Sequence, residues 1–316
     1  MNRYLMFLIG LAPILLLCAC ATNTLPSAAE TGNSARIHAL LYEGVAVDQR
    51  GGFMNETALM IAARHGNLGI VRTLLEAGAD INARSKYGDT ALTAATHVCH
   101  SPVVEFLVNH DADANVKNYG YGSTPLMLAA ECNDVTSVRA LIKRDANINE
   151  TNKKGMTALT AASAKGKTAV VQVLLDAGAN PEEAYEEGET ALFVAAHQGH
   201  DAIVKLLMEK GADINTRSRH TGWTPLMIAV EKGHSTTASI LLESGATVNL
   251  TNDHGLTALM LAAWYGNEDI VALLLKRGAD PNIVPNDNEG LTALIAATKK
   301  GYREEAYPID SSYPRS

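Results

Sequence analysis

At 316 residues the chain is 47% apolar but only 5% aromatic, and it carries 26 Lys and Arg against 34 Asp and Glu, a net charge of −8. An acidic balance of this size disfavours binding to the phosphates of nucleic acid. The low aromatic content suits a core of Ala and Leu between closely spaced helices rather than one large globular core.

Residues 1–20 read MNRYLMFLIGLAPILLLCAC, with one basic residue, Arg3, ahead of an apolar stretch from Leu5 to Leu17. That stretch is shorter than the about 20 residues that cross a bilayer, so it reads as a cleaved signal peptide. Leu17-Cys18-Ala19-Cys20 is similar to a bacterial lipobox, with small Ala19 before the cut and Cys20 after it. The resemblance implies a signal peptide over 1–19, acylation of Cys20 and a mature chain anchored by lipid. Ala21, where some lipoproteins have Asp, implies the periplasmic face of the outer membrane. The alternative is an ordinary secretory signal with two incidental cysteines. Residues 20–34 are small, polar and contain Pro and Gly, the composition of a flexible tether.

The repeat follows. Thr-(Ala/Pro)-Leu occurs at Thr57, Thr90, Thr124, Thr157, Thr190, Thr224, Thr257 and Thr292, at gaps of 33, 34, 33, 33, 34, 33 and 35 residues. Each Thr is placed to cap a short inner helix. A second, more strongly apolar helix follows, as at Val103, Val104, Phe106 and Leu107. Gly two residues before most of the Thr, from Gly88 to Gly290, marks a hairpin tip; Asn55 takes that place in the first unit. The period and triplet resemble the ankyrin repeat family. The resemblance implies an all-α solenoid of helix-turn-helix units with β-hairpin loops. We expect about eight repeats over 35–301, with an N-terminal half-repeat cap at 36–48 and a polar tail at 302–316. The family's usual His after the Leu is absent, its place taken by Met60, Thr93, Met127, Thr160, Phe193, Met227, Met260 and Ile295. That departure puts the family's His-mediated loop network in doubt. The last unit shows no recognisable outer helix, leaving either a frayed polar cap or an open edge.

Cys99 and Cys132 are 33 residues apart, one repeat, in the two units that lack the turn Gly found at Gly66, Gly166, Gly199, Gly233, Gly266 and Gly301. An oxidising periplasm would favour a Cys99–Cys132 disulfide between neighbouring units; two reduced, half-buried thiols are the alternative. His97 and His100 nearby are explained by recurrence at helix turns better than by a metal site. No nucleotide loop, nucleophile elbow or zinc spacing is present, so the chain reads as non-enzymatic, with no cofactor and no metal.

The family resemblance places partner binding at hairpin tips and inner helices. The candidates there are Tyr87, Tyr121, Met156, Trp223, His254, Leu256, Trp264 and Tyr265. Trp and Tyr dominate interface energetics, although each could instead pack between neighbouring hairpins. The expected function is non-catalytic protein binding in the bacterial envelope by a chain monomeric when unbound. An immunity or inhibitor protein against a periplasmic toxin, such as a secreted phospholipase, is the sharper form. An envelope scaffold or stress-related adaptor is the other.

Overall fold

A computed structural model describes residues 24–185 and 188–285. Cys20, Ala21 and the unit that begins at Thr292 lie outside the described residues. The described chain forms two compact units, one reaching to Ala162 and including Asp176–Ala179, the other holding Ser163–Leu175 and the residues from Asn180 on.

Inner and outer helices alternate. In the first unit the inner helices are α1 (Leu25–Glu30), α3 (Ala58–Arg64), α5 (Ala91–His97), α7 (Pro125–Glu131) and the start of α9 (Ala158–Ala164). The outer ones are α2 (Ser34–Tyr42), α4 (Leu68–Glu76), α6 (Ser101–Asn109) and α8 (Val135–Lys143). The second unit continues with α10 (Thr168–Asp176), α11 (Ala191–Gln198), α12 (Asp201–Glu209), α13 (Pro225–Glu231), α14 (Ser235–Glu243), α15 (Ala258–Tyr265) and α16 (Glu268–Lys276). Within each unit, inner helix packs on inner helix, α1 to α3 to α5 to α7 and α11 to α13 to α15. Outer helices pack likewise, α2 to α4 to α6 to α8 and α12 to α14 to α16.

The repeated Thr starts each inner helix as expected. Its hydroxyl accepts from the backbone N–H three residues on, for example Met60 N to Thr57 Oγ1 at 3.4 Å and Met260 N to Thr257 Oγ1 at 3.3 Å. Where the family pattern has His, Thr93 and Thr160 turn their hydroxyls back to accept from Thr90 N and Thr157 N at 2.8 Å. That bond completes a capping box and satisfies a further free N–H of the helix start. Ala62, Ala95, Ala129, Ala162, Ala195, Ala229 and Ala262 are almost fully buried, and such small side chains let inner helices approach closely. The outer helices bury a stripe instead, Ile70, Val71 and Leu74 in α4 and Ile203, Val204 and Leu207 in α12.

Two expectations change. Residues 25–30, placed in a flexible tether, form α1, and Leu25, Ala28 and Ala29 are buried against the fold. Thr24 caps this helix by accepting from Ser27 N at 3.2 Å, and Gly32 makes the left-handed turn into α2 at φ +67°. Among the described residues the array therefore begins with a complete helix pair and not with an outer helix alone. The apolar face of α3 requires this, because it would otherwise meet water. The β-hairpin loops are also reduced. Paired strands are confined, among the described residues, to β1 (Arg50–Gly51) and β2 (Glu56–Thr57). Elsewhere a Ser or Asn side chain closes the tip, as where Asn118 Oδ1 accepts from Gly122 N and Ser123 N. One side chain thus replaces the ladder bonds of a longer hairpin.

Periodic polar contacts tie neighbouring repeats within each unit. Asn82 Oδ1 accepts from Asp113 N at 2.9 Å and Asn115 Oδ1 from Asn147 N at 2.7 Å. Asn215 Oδ1 and Asn249 Oδ1 do the same for Thr247 N and Asp280 N at 2.9 Å. At the turns, His200 Nε2 meets Ala164 O at 3.3 Å and His234 Nε2 meets His197 O at 3.1 Å. Asn267 Nδ2 donates to Val230 O at 3.1 Å in the corresponding place. A His-based network exists after all, moved from the helix start to the turn. His234 lies over Gly199, where a Cβ would fall 2.8 Å from the ring and the φ of +70° already disfavours a side chain.

Cys99 and Cys132 form a disulfide with Cα atoms 5.9 Å apart. Cys99 stands where other repeats have the turn Gly and adopts φ +62°, whereas Cys132 closes α7 one residue ahead of Asn133, which takes the left-handed turn at φ +60°. Both turns keep the left-handed backbone of the glycine turns, such as Gly66 at φ +69°, so the pairing comes from where the two Cys stand and not from a reshaped turn.

Candidate protein-binding face

Each hairpin tip of the first unit after the first donates a backbone bond to the one before it. Lys86 N reaches Met54 O at 2.9 Å, Tyr119 N reaches Tyr87 O at 2.8 Å and Lys153 N reaches Tyr121 O at 2.8 Å. A row of cations runs beneath. Arg50 Nη1 donates to Arg84 O at 2.6 Å, Arg84 Nη1 to Lys117 O at 3.0 Å and Lys117 Nζ to Thr151 O at 2.8 Å. These bonds fix four successive tips into one continuous face.

The tips carry large apolar side chains that stay in water. Phe53 is 75% exposed, Tyr121 67%, Tyr119 58% and Tyr87 42%. Cations sit over their rings, Lys86 Nζ 4.1 Å from the Phe53 centroid, Arg84 5.8 Å from Tyr119 and Lys154 5.9 Å from Tyr121. Arg84, Lys117, Tyr119 and Lys153, with Asn118 and Asn152, line a shallow cleft of about 680 Å³. Lys117 pairs with Glu150 at 2.6 Å, and that hydrogen bond holds the Glu150 carboxyl below its ordinary range. Arg84, Lys86, Lys153 and Lys154 have no carboxylate at ion-pair distance among the described residues. Behind the tips, burial raises the Asp89 carboxyl, and the Glu56 charge adds to this.

Of the residues expected to bind a partner, Tyr87 and Tyr121 belong to this face. Met156 lies beside it, half-buried, its N–H bound to Asn152 Oδ1 at 3.0 Å. The others fall in the second unit. Trp223 is half-buried and closes its own hairpin through Ser218, while His254 is exposed at the next tip. Trp264 and Tyr265 end α15 half-buried, the Tyr265 hydroxyl 3.4 Å from Glu231 Oε1. Leu256 is core at 8% exposure, its N–H and carbonyl both held by Asn252, and so offers little to a partner. Glu189 is 4% exposed and Glu182 accepts from Asp213 N at 2.8 Å, so these two carboxylates serve the fold.

Sequence reasoning passed over Phe53 and the cations of the first unit. A signal existed: Arg50, Arg84 and Lys117 recur at gaps of 34 and 33, and Phe53 is one of only four Phe. Among the described residues, no group of three or more His, Cys, Asp or Glu is placed to hold a metal ion, and no helix is long and apolar enough to cross a membrane.

Stacked helix pairs with an exposed row of aromatic and cationic tips define a repeat scaffold for binding other proteins. The ankyrin repeat model matches over 8–85, 25–118, 82–152, 126–218, 216–285 and 252–306, and the chain belongs to the ankyrin repeat family. Similar stretches occur in neurogenic locus notch homolog protein 1 of Homo sapiens, 33% identical over 165 residues, 49% of this chain and 6% of that protein. Notch homolog protein 2 of Mus musculus is 33% identical over 139 residues, 43% of this chain and 6% of its own length. Notch homolog protein 1 of Xenopus laevis is 31% identical over 164 residues, again 49% and 6%. The likeness is thus to a small part of each relative. Family membership gives a protein-binding role.

Proposed function

We propose that this chain is a non-catalytic binder held by lipid on Cys20 at the periplasmic face of a bacterial outer membrane, where it neutralises a toxin or effector such as a secreted phospholipase. The observation that carries the binding role is the row of exposed rings at Phe53, Tyr87, Tyr119 and Tyr121 on tips fixed by backbone bonds. Rigid aromatic groups lose little conformational freedom when covered, which favours tight binding. The Cys99–Cys132 disulfide supports an oxidising compartment. A protein that blocks another's active site needs such a preformed surface and no chemistry of its own.

The test has three readouts. Cys20→Ser is expected to leave the chain soluble, and unchanged membrane association rules out the anchor. The chain captures an envelope partner, and capture is lost in Tyr87→Ala plus Tyr121→Ala, or in Trp223→Ala plus Trp264→Ala, with the far-UV circular dichroism retained. Cells making the chain survive a toxin encoded beside it; equal killing with and without the chain removes the immunity role.

A further inference from the structure

We infer that the hairpin-tip face of the first unit recognises an acidic polypeptide segment in which carboxylates alternate with apolar side chains. The inference rests on the protein-binding reading and names its partner's chemistry. The protein as a whole carries a net charge of −8, yet Arg84, Lys86, Lys153 and Lys154 lie on the tips of this face without a carboxylate partner among the described residues. Lys86, Lys153 and Lys154 are exposed, and Arg84 with Lys153 lines the cleft around Tyr119. Cations without carboxylate partners on an acidic protein are a local field of the sign opposite to their surroundings. Such a field steers and selects an anionic partner.

The second unit shows the contrast. The tip residue whose N–H bonds the preceding tip is Lys86, Tyr119 or Lys153 in the first unit, but Asp253 in the second, bonded to Thr221 O at 3.0 Å. There Asp253 neutralises Arg217 at 3.1 Å. Asp253 stands four residues before its capping Thr, as Lys86 and Lys153 do, so this position is acidic and paired at that tip of the second unit and cationic at two tips of the first. Rings interleave with the charges in the first unit, so an occupant needs apolar groups between its acids. Bare polyanions lack those groups, and the acidic remainder of the surface repels long ones.

The experiment uses the full-length protein in neutral detergent and a fluorescein-labelled peptide alternating Glu with Leu. Fluorescence anisotropy compares it with the Gln–Leu peptide and with an oligothymidylate. The Glu–Leu peptide is expected to bind more tightly than either, with affinity falling as salt rises. Lys86→Glu, Lys153→Glu and Lys154→Glu together weaken it by about tenfold or more, the effect of a few lost surface ion pairs. Lys205→Glu plus Lys276→Glu, exposed and in the second unit, leaves it unchanged. Equal binding of the Gln–Leu peptide, or tighter binding of the oligothymidylate, overturns the inference. So does retained affinity in the triple variant with an unchanged circular dichroism spectrum. If the Glu–Leu peptide fails while an envelope partner is still captured, the acidic-segment inference falls and the protein-binding reading stands. Failure of both removes both.

Discussion

His197 shows how a single side chain beside a repeat turn couples stability to pH. It lies in the last turn of α11, with its carbonyl bound by His234 Nε2. Burial lowers its pKa from 6.5 to about 4, and Lys232 and then His234 push the same way. Between those values the unfolded chain takes up a proton that the folded chain refuses, so stability falls as pH drops from about 6.5 to about 4 and is level below. Because solvent reaches part of the ring, the loss is on the order of 1 kcal/mol, less than the full shift would give. Urea melts across that range are expected to show the decline in the native chain and a flatter profile in His197→Gln. An identical slope in both would place the acid sensitivity elsewhere. None of this was legible in the sequence, where His197 is one of ten scattered histidines; its neighbours Lys232 and His234 come from the next repeat.

At the scale of elements, the inner helix is the part most fully written in the local chain. A capping Thr, Ala or Pro at the first position and a run of small apolar residues specify a helix of seven or eight residues without reference to anything distant. Helix α1 was missed for a local reason too. Its triplet is Thr24-Leu25-Pro26, with the last two residues exchanged, although Thr24 stands one full period of 33 before Thr57. Its burial makes a testable case. Leu25 is fully buried, and Leu25→Ala is expected to cost about 2–3 kcal/mol, near the lower end for such truncations because an end helix can relax. Hydrogen exchange should then reach the amides of α1 and α3 faster while α7 stays protected. An unchanged urea midpoint and exchange pattern would return residues 24–30 to the role of a tether.

At the scale of the whole molecule, stability in a repeat array is a sum of units and of the interfaces between them. The Cys99–Cys132 disulfide adds a covalent term at one such interface, across α5 and α7. Closing about 33 residues, it should contribute roughly 3–4 kcal/mol by restricting the unfolded chain, against which the left-handed backbone of Cys99 sets about 1 kcal/mol of strain. Reductant is therefore expected to lower the urea midpoint of the native chain and leave Cys99→Ser plus Cys132→Ser unaffected. Equal midpoints with and without reductant in the native chain would mean the bridge contributes nothing. The pairing was anticipated from the loss of turn Gly in adjacent repeats, but only the structure places the two Cα atoms 5.9 Å apart, within reach of a disulfide.

By itself the sequence determined the repeat, the helix starts and the small-residue inner layer, because each depends on neighbours within a few positions or on simple periodicity. Only the tertiary structure decided which hairpin residues are core and which are surface. Leu256 and Tyr121 both sit on hairpins, yet one is buried and the other stands in water. The same holds for charge: Arg84 and Arg217 recur in register, but only Arg217 meets a carboxylate, Asp253 of the following tip. Burial and pairing are set by what the next repeat presents about 33 positions away, and no local pattern carries that information.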